Sequence, residues 1–220
     1  MLTSLSKVIE KIHWKHWLFL FLLSQSIYVL MLTITIPKIS TEAGGMRIFD
    51  MMPLGYTYHY ASSFLARLSE HGYHLYKYVQ IPLDIFFPIF SFGAGFCMLI
   101  LLLRFYRSLR REKKSKYDLF LQWIGLFLPF LAMLCDYLEN MMIVTMLSFK
   151  DNVSTIIVSV ANIFTMIKSM STTIFYSICI LIVMSICVRW VQNKVREKKT
   201  IGKLRYSREE KSTIEDSHPR

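Results

Sequence analysis

Residues 119–147 read LFLQWIGLFLPFLAMLCDYLENMMIVTML, a run without a single Lys or Arg. A helix rising ~1.5 Å per residue crosses a ~30 Å hydrocarbon core in about 20 residues, so this run is long enough to span a bilayer with turns to spare. Three further runs of that kind flank it. Residues 17–36 form the first, 79–103 the second, and 155–188 contain the fourth. The chain is therefore expected to be an all-α integral membrane protein, a four-transmembrane-helix bundle with an amphipathic lid helix on its outer side.

The first run exceeds the ~7–15 apolar residues of a secretory signal, and its exit Ile36-Pro37-Lys38-Ile39 offers no small-residue cleavage site, so it counts as a span. The fourth leaves two readings open. Residues 155–188 form one helix with an outer extension, making a hairpin with the third span across the polar turn 148–154. Alternatively a short interfacial helix at 155–166 precedes a separate span from Lys168.

Charge divides along the chain as hydropathy does. The formal net charge is +11, with 54% apolar and 15% aromatic residues. Of 26 Lys and Arg, three lie in 1–16, seven in the 104–118 loop and ten in the 189–220 tail. The bias of basic loops towards the cytoplasm places both ends and the 104–118 loop inside, and 37–78 and 148–154 outside. That predicts a multi-pass protein of the cell membrane. The basic segments suit an anionic lipid surface, and nucleic acid is not expected as a partner. Cys97, Cys135, Cys179 and Cys187 all lie in spans without a CxxC pair, which argues against thiol-disulfide chemistry and against a zinc site.

The informative residues are the ionisable ones inside the spans, each costing at least ~2.5–3.5 kcal/mol to insert. Asp136, Glu139 and Asn140 are spaced i, i+3, i+4 and share one helical face. Asp84, counted from the outer end of its span, reaches a similar depth. If spans three and four turn near Asp151, Asp136 falls opposite Met166, within a turn of Lys168, and Glu139 falls beside Asn162. Pro88 adds a backbone group to this level, because it cannot donate to the carbonyl of Asp84. The expected ligand site is thus Asp84, Asp136, Glu139, Asn140 and Lys168, with Tyr56 from the outer loop. Three carboxylates against one lysine leave a surplus that calls for a shared proton or a bound cation. A purely structural network fixing helix register is the competing reading, though polar pairs between membrane helices are worth only ~0.6 kcal/mol on average.

Within 37–78, Thr57 is placed to cap a helix over 58–71, with Tyr60, Phe64 and Leu68 as its apolar stripe and Gly72 as its stop. Residues 49–56, FDMMPLGY, carry the Pro and Gly of a turn. His59, His71 and His74 lack the spacing of a metal site, and no metal is expected. The sequence implies no particular cofactor and leaves enzymatic activity undecided.

Four helices, both ends inside, a long first outer loop, acids near the outer half and a Pro-flanked, Phe-rich start of span two together resemble the sterol-isomerase and sigma-2-receptor group. That resemblance implies carboxylates holding a cationic amine or sterol intermediate, and no catalytic residue is carried over. Functionally, the chain is expected to bind a small amphiphile, lipid headgroup or cation in an outward-facing acidic pocket. The alternatives are a proton- or cation-linked transporter or channel subunit, for which a homo-oligomer would be needed to enclose a path, and a lipid-modifying enzyme using a carboxylate as acid or base.

Overall fold

The computed structural model describes residues 9, 11–110 and 116–216. It is 89% helical without strands, and four of its helices are long and apolar enough to cross a membrane. These are α1 (Trp14–Glu42), α3 (Glu70–Arg110), α4 (Lys116–Ser148) and α5 (Thr155–Asp216), with a short α2 (Tyr58–Arg67) between the first two. α3 is central, packing against α1, α4 and α5, while α4 and α5 form the closest pair. α1 leans on α3 without packing along α5.

Every long helix exceeds the run read from hydropathy, since helical hydrogen bonding continues past the last apolar residue. α5 settles the choice left open for the fourth element. It is one uninterrupted 62-residue helix from Thr155, with no break before Lys168. Neither Gly nor Pro occurs between Thr155 and Gly202 to stop it.

α1 and α3 each contain one π turn, at Met31–Thr35 and Tyr76–Gln80. Both immediately precede an Ile-Pro pair, Ile36-Pro37 and Ile81-Pro82. A proline ring inside a helix clashes with the carbonyl four residues back, and a widened turn shifts that carbonyl aside. The amide of Ile36 accordingly reaches back to Met31 O, and that of Ile81 to Tyr76 O. The two π turns face each other, and the Thr35 hydroxyl donates to Gln80 Oε1.

The segment between α1 and α3 folds into the bundle instead of looping over it. Thr57 caps α2 by accepting from the amide of Tyr60. α2 ends at Arg67, four residues short of the expected 58–71, because Leu68 and Ser69 turn extended and Ser69 caps a new helical start at Glu70. Gly72 is therefore not a stop. It lies inside α3, where a Cβ would come within 2.6 Å of Glu42 Cβ, so its missing side chain is what lets the end of α1 approach. Serine 69 completes the junction: its amide donates to Glu42 O and its hydroxyl to the Glu42 carboxylate.

Beneath α2 lies the largest apolar core. Phe49 is fully buried, with ring centroids 4.8 Å from Tyr56, 4.9 Å from Phe64 and 6.3 Å from Tyr76. Each such side chain contributes about 1.5–3 kcal/mol by burial, enough to hold a loop that has little hydrogen bonding of its own. Phe64 and Leu68 of the expected stripe are buried here, and Tyr60 is half-buried. The free cysteines stay apart from this region. Cys97, Cys135 and Cys179 are buried and Cys187 is exposed.

Candidate functional site

Burial of Phe49 fixes the position of its neighbour. Asp50 is carried inward on a single 3-10 turn, Phe49–Met51, and meets residues from three different long helices. The ammonium of Lys168, on α5, lies 2.5 Å from Glu139 Oε2, 3.0 Å from Asp136 Oδ1 and 3.6 Å from Asp50 Oδ1. The other oxygen of Asp50 accepts from the Tyr76 hydroxyl at 3.3 Å. Glu139 is fully buried, and its second oxygen accepts from Thr165 at 2.6 Å. Asp84, only 3% exposed, joins from α3: one carboxylate oxygen each of Asp50, Asp84 and Asp136 lie within 4.8 Å of one another.

One ammonium thus faces four carboxylates. Removing charges from water costs several kcal/mol each, and among the described residues Lys168 is the one cation paired with the group, so the carboxylates exceed their compensating positive charge. Asp84 differs from the other three: its Oδ2 is buried without a hydrogen-bond partner, and Lys168 pairs with Asp50, Asp136 and Glu139 but not with it.

Below the carboxylates runs a cavity of about 500 Å³. Its acidic end is formed by Asp50, Asp84, Asp136 and Lys168, with Gln80 beside them. The rest is lined by Tyr28 and Met31 of α1, Phe87 and Phe92 of α3, Pro129 and Met133 of α4, and Phe175 and Tyr176 of α5, with the hydroxyls of Ser169 and Thr172 between. α1 and α5 both pack on α3 and touch each other little. Tyr28 of α1 and Tyr176 of α5, which both line the cavity, are 38% and 45% exposed.

The expected site residues divide into two sets. Asp84, Asp136 and Lys168 line the cavity, while Glu139, Asn140 and Tyr56 lie behind its wall. Tyr56 is 6% exposed, and burial, followed by the nearby Glu139 charge, pushes its hydroxyl above the ordinary tyrosine range. Its backbone amide donates to Asn162 Oδ1 at 2.7 Å, which pins the loop to α5. Asn140 is buried, but neither of its amide atoms has a hydrogen-bond partner, so it orients nothing visible here. His59, His71 and His74 are exposed and take no part.

Sequence reasoning missed three participants. Asp50 sits in a loop whose inward fold no periodicity announces. Thr165 is a hydroxyl among many. Gln80 had a signal, because it precedes Asp84 by four residues and so shares its helical face.

Neither a family model, nor a curated protein, nor a solved structure matches this chain.

Proposed function

We propose that this chain is a multi-pass membrane protein, with both ends cytoplasmic, that binds a small amphiphile bearing a cationic head. The single observation that carries this reading is the composition of the cavity: three carboxylates and one lysine at one end, backed by the carboxylate of Glu139, with aromatic and apolar walls elsewhere. A cationic head relieves the charge surplus, and an alkyl or ring body fills the aromatic part. The gap between α1 and α5 faces what would be lipid, so a ligand dissolved in the bilayer reaches the cavity without crossing water. The segment 49–56, pinned by Asn162, then serves as the lid over the head.

A bare ion is the second reading, favoured by the spacing of Asp50, Asp84 and Asp136. Oxygen atoms within 4.8 Å of one another suit a calcium ion with ligands at ~2.4 Å. The cavity is far larger than an ion, however, and Lys168 already sits against two of those three residues.

Binding of a radiolabelled long-chain alkylamine to the protein in neutral-lipid nanodiscs tests the proposal. The amine is expected to bind saturably, the fatty acid and alcohol of equal length not to compete, and Asp84→Asn to weaken binding at least about tenfold. Equal competition by all three chains would reject the cationic head. Tight calcium binding with no amine binding would establish the second reading.

A further inference from the structure

Among the described residues, two buried polar atoms on the wall of the cavity have neither a hydrogen-bond nor an ion-pair partner, and they are opposite in kind. Asp84 Oδ2 is an acceptor and Gln80 Nε2 a donor. Gln80 is fully buried and Asp84 3% exposed, and both line the cavity. The Gln80 oxygen accepts from the Thr35 hydroxyl across the paired π turns, a hydroxyl that also lies 3.2 Å from Met31 O, and in this orientation of the amide Nε2 has no acceptor. Gln80 and Asp84 stand four residues apart, so their side chains are neighbours about 5–6 Å apart at Cβ on one helical face.

A cationic head that satisfies both atoms offers an N–H donor to Asp84 and an oxygen acceptor to Gln80 side by side. Resting on the cationic-amphiphile reading above, we infer that the head group is a primary amino alcohol, with amine and hydroxyl on adjacent carbons. The ammonium donates to Asp84 Oδ2 and the hydroxyl oxygen accepts from Gln80 Nε2. A quaternary ammonium carries the charge but no N–H, and leaves Asp84 unmet. A plain alkylamine serves Asp84 and leaves Gln80 unmet. A buried donor without its acceptor is penalised, and that penalty separates the amino alcohol from the plain amine.

The full-length protein in neutral-lipid nanodiscs is titrated with three probes of one chain length: a 2-amino-1-alkanol, the alkan-1-amine and the alkyltrimethylammonium. The amino alcohol is expected to bind about tenfold or more tighter than the amine, and the quaternary ammonium most weakly. In Gln80→Met, which keeps the side-chain length and removes the donor, the amino alcohol and the amine should bind alike, because the unmet donor that penalises the amine is gone. Equal binding of these two probes to the wild type overturns the amino-alcohol assignment and leaves the cationic-amphiphile reading standing. A preference that persists in Gln80→Met also overturns it, since Gln80 is then not its source. Failure of all three probes to bind rejects the broader reading itself. The comparison on the wild-type protein decides the matter even if Gln80→Met proves unstable.

Discussion

Gly55 and Asn162 meet as backbone and socket: Gly55 adopts φ +91°, and a Cβ built on it would lie 2.3 Å from Asn162 Oδ1. The close approach lets the next amide, that of Tyr56, donate to the same oxygen at 2.7 Å. This one contact joins the 49–56 segment to α5 and so bears on where Asp50 is held. Gly55→Ala is expected to destabilise the protein by about 1–3 kcal/mol, from a left-handed conformation and a steric clash together. Adding Asn162→Ala removes the clash and leaves the backbone penalty of about 1 kcal/mol. Thermal unfolding in detergent, followed by circular dichroism, separates the two parts. Equal penalties in both backgrounds would place the whole effect in the backbone.

Lys168 is the sole ammonium touching Asp50, Asp136 and Glu139 among the described residues. Lys168→Met removes it and leaves buried carboxylates facing one another, with an expected loss of about 3–5 kcal/mol. Glu139→Gln removes the carboxylate nearest to Lys168 and should cost less. The double variant should be more stable than the sum of the single losses implies, by about 0.5–3 kcal/mol. Strict additivity would mean that the 2.5 Å pair is not energetically coupled.

Gly125, on α4, has no room for a methyl group, because its Cβ would fall 1.7 Å from Leu99 Cδ2 of α3. Leu99 is fully buried and cannot swing to solvent. Gly125→Ala should therefore cost about 1–3 kcal/mol through overpacking, and Leu99→Ala in the same chain should recover part of that loss. A neutral Gly125→Ala variant would show that α3 and α4 pack less closely than described.

The turn before α5 carries an exposed ion pair, Lys150 with Glu70. Hydrogen bonding to Glu70, reinforced by its charge, raises the Lys150 ammonium above the usual lysine value. A raised lysine contributes stability that is complete below the unfolded-state pKa and is lost as pH rises through the folded one. The difference between wild type and Lys150→Met should thus be small, constant through neutral pH, and lost as pH rises above the ordinary lysine range. A difference that grows with alkalinity would contradict this sign.

How much of this was legible in the sequence depends on the kind of residue. The four long helices were, because hydropathy over ~20 residues is a sum that no single side chain can reverse. The convergence of Asp136 and Lys168 was legible too, since helical spacing and reflection about a short turn are rigid geometry. Asp50 was not. Its placement depends on Phe49 finding a slot between Tyr56, Phe64 and Tyr76, a tertiary fit with no periodic trace. The π turns lay between these extremes. Two Ile-Pro pairs inside apolar runs announce that something must yield, but not that both helices yield alike and face each other through Thr35 and Gln80.

The cavity supplies the prediction that bears most directly on function. Ser169, on α5, lines it and has neither a charge nor an ion-pair role. Ser169→Phe directs a ring into a void of about 500 Å³, so it adds apolar contact without displacing packed neighbours. Stability should hold within about 0.5 kcal/mol or rise, while affinity for a long-chain alkylamine falls at least about tenfold. The pairing of these outcomes is what makes the variant informative. Loss of stability with loss of binding would show only a damaged fold. Retained stability with unchanged binding would place the amine outside the cavity, on the lipid-facing surface, where apolar side chains are plentiful. A well-folded Ser169→Phe protein that no longer takes the amine leaves the space between α1 and α5 as the place where its alkyl chain lies.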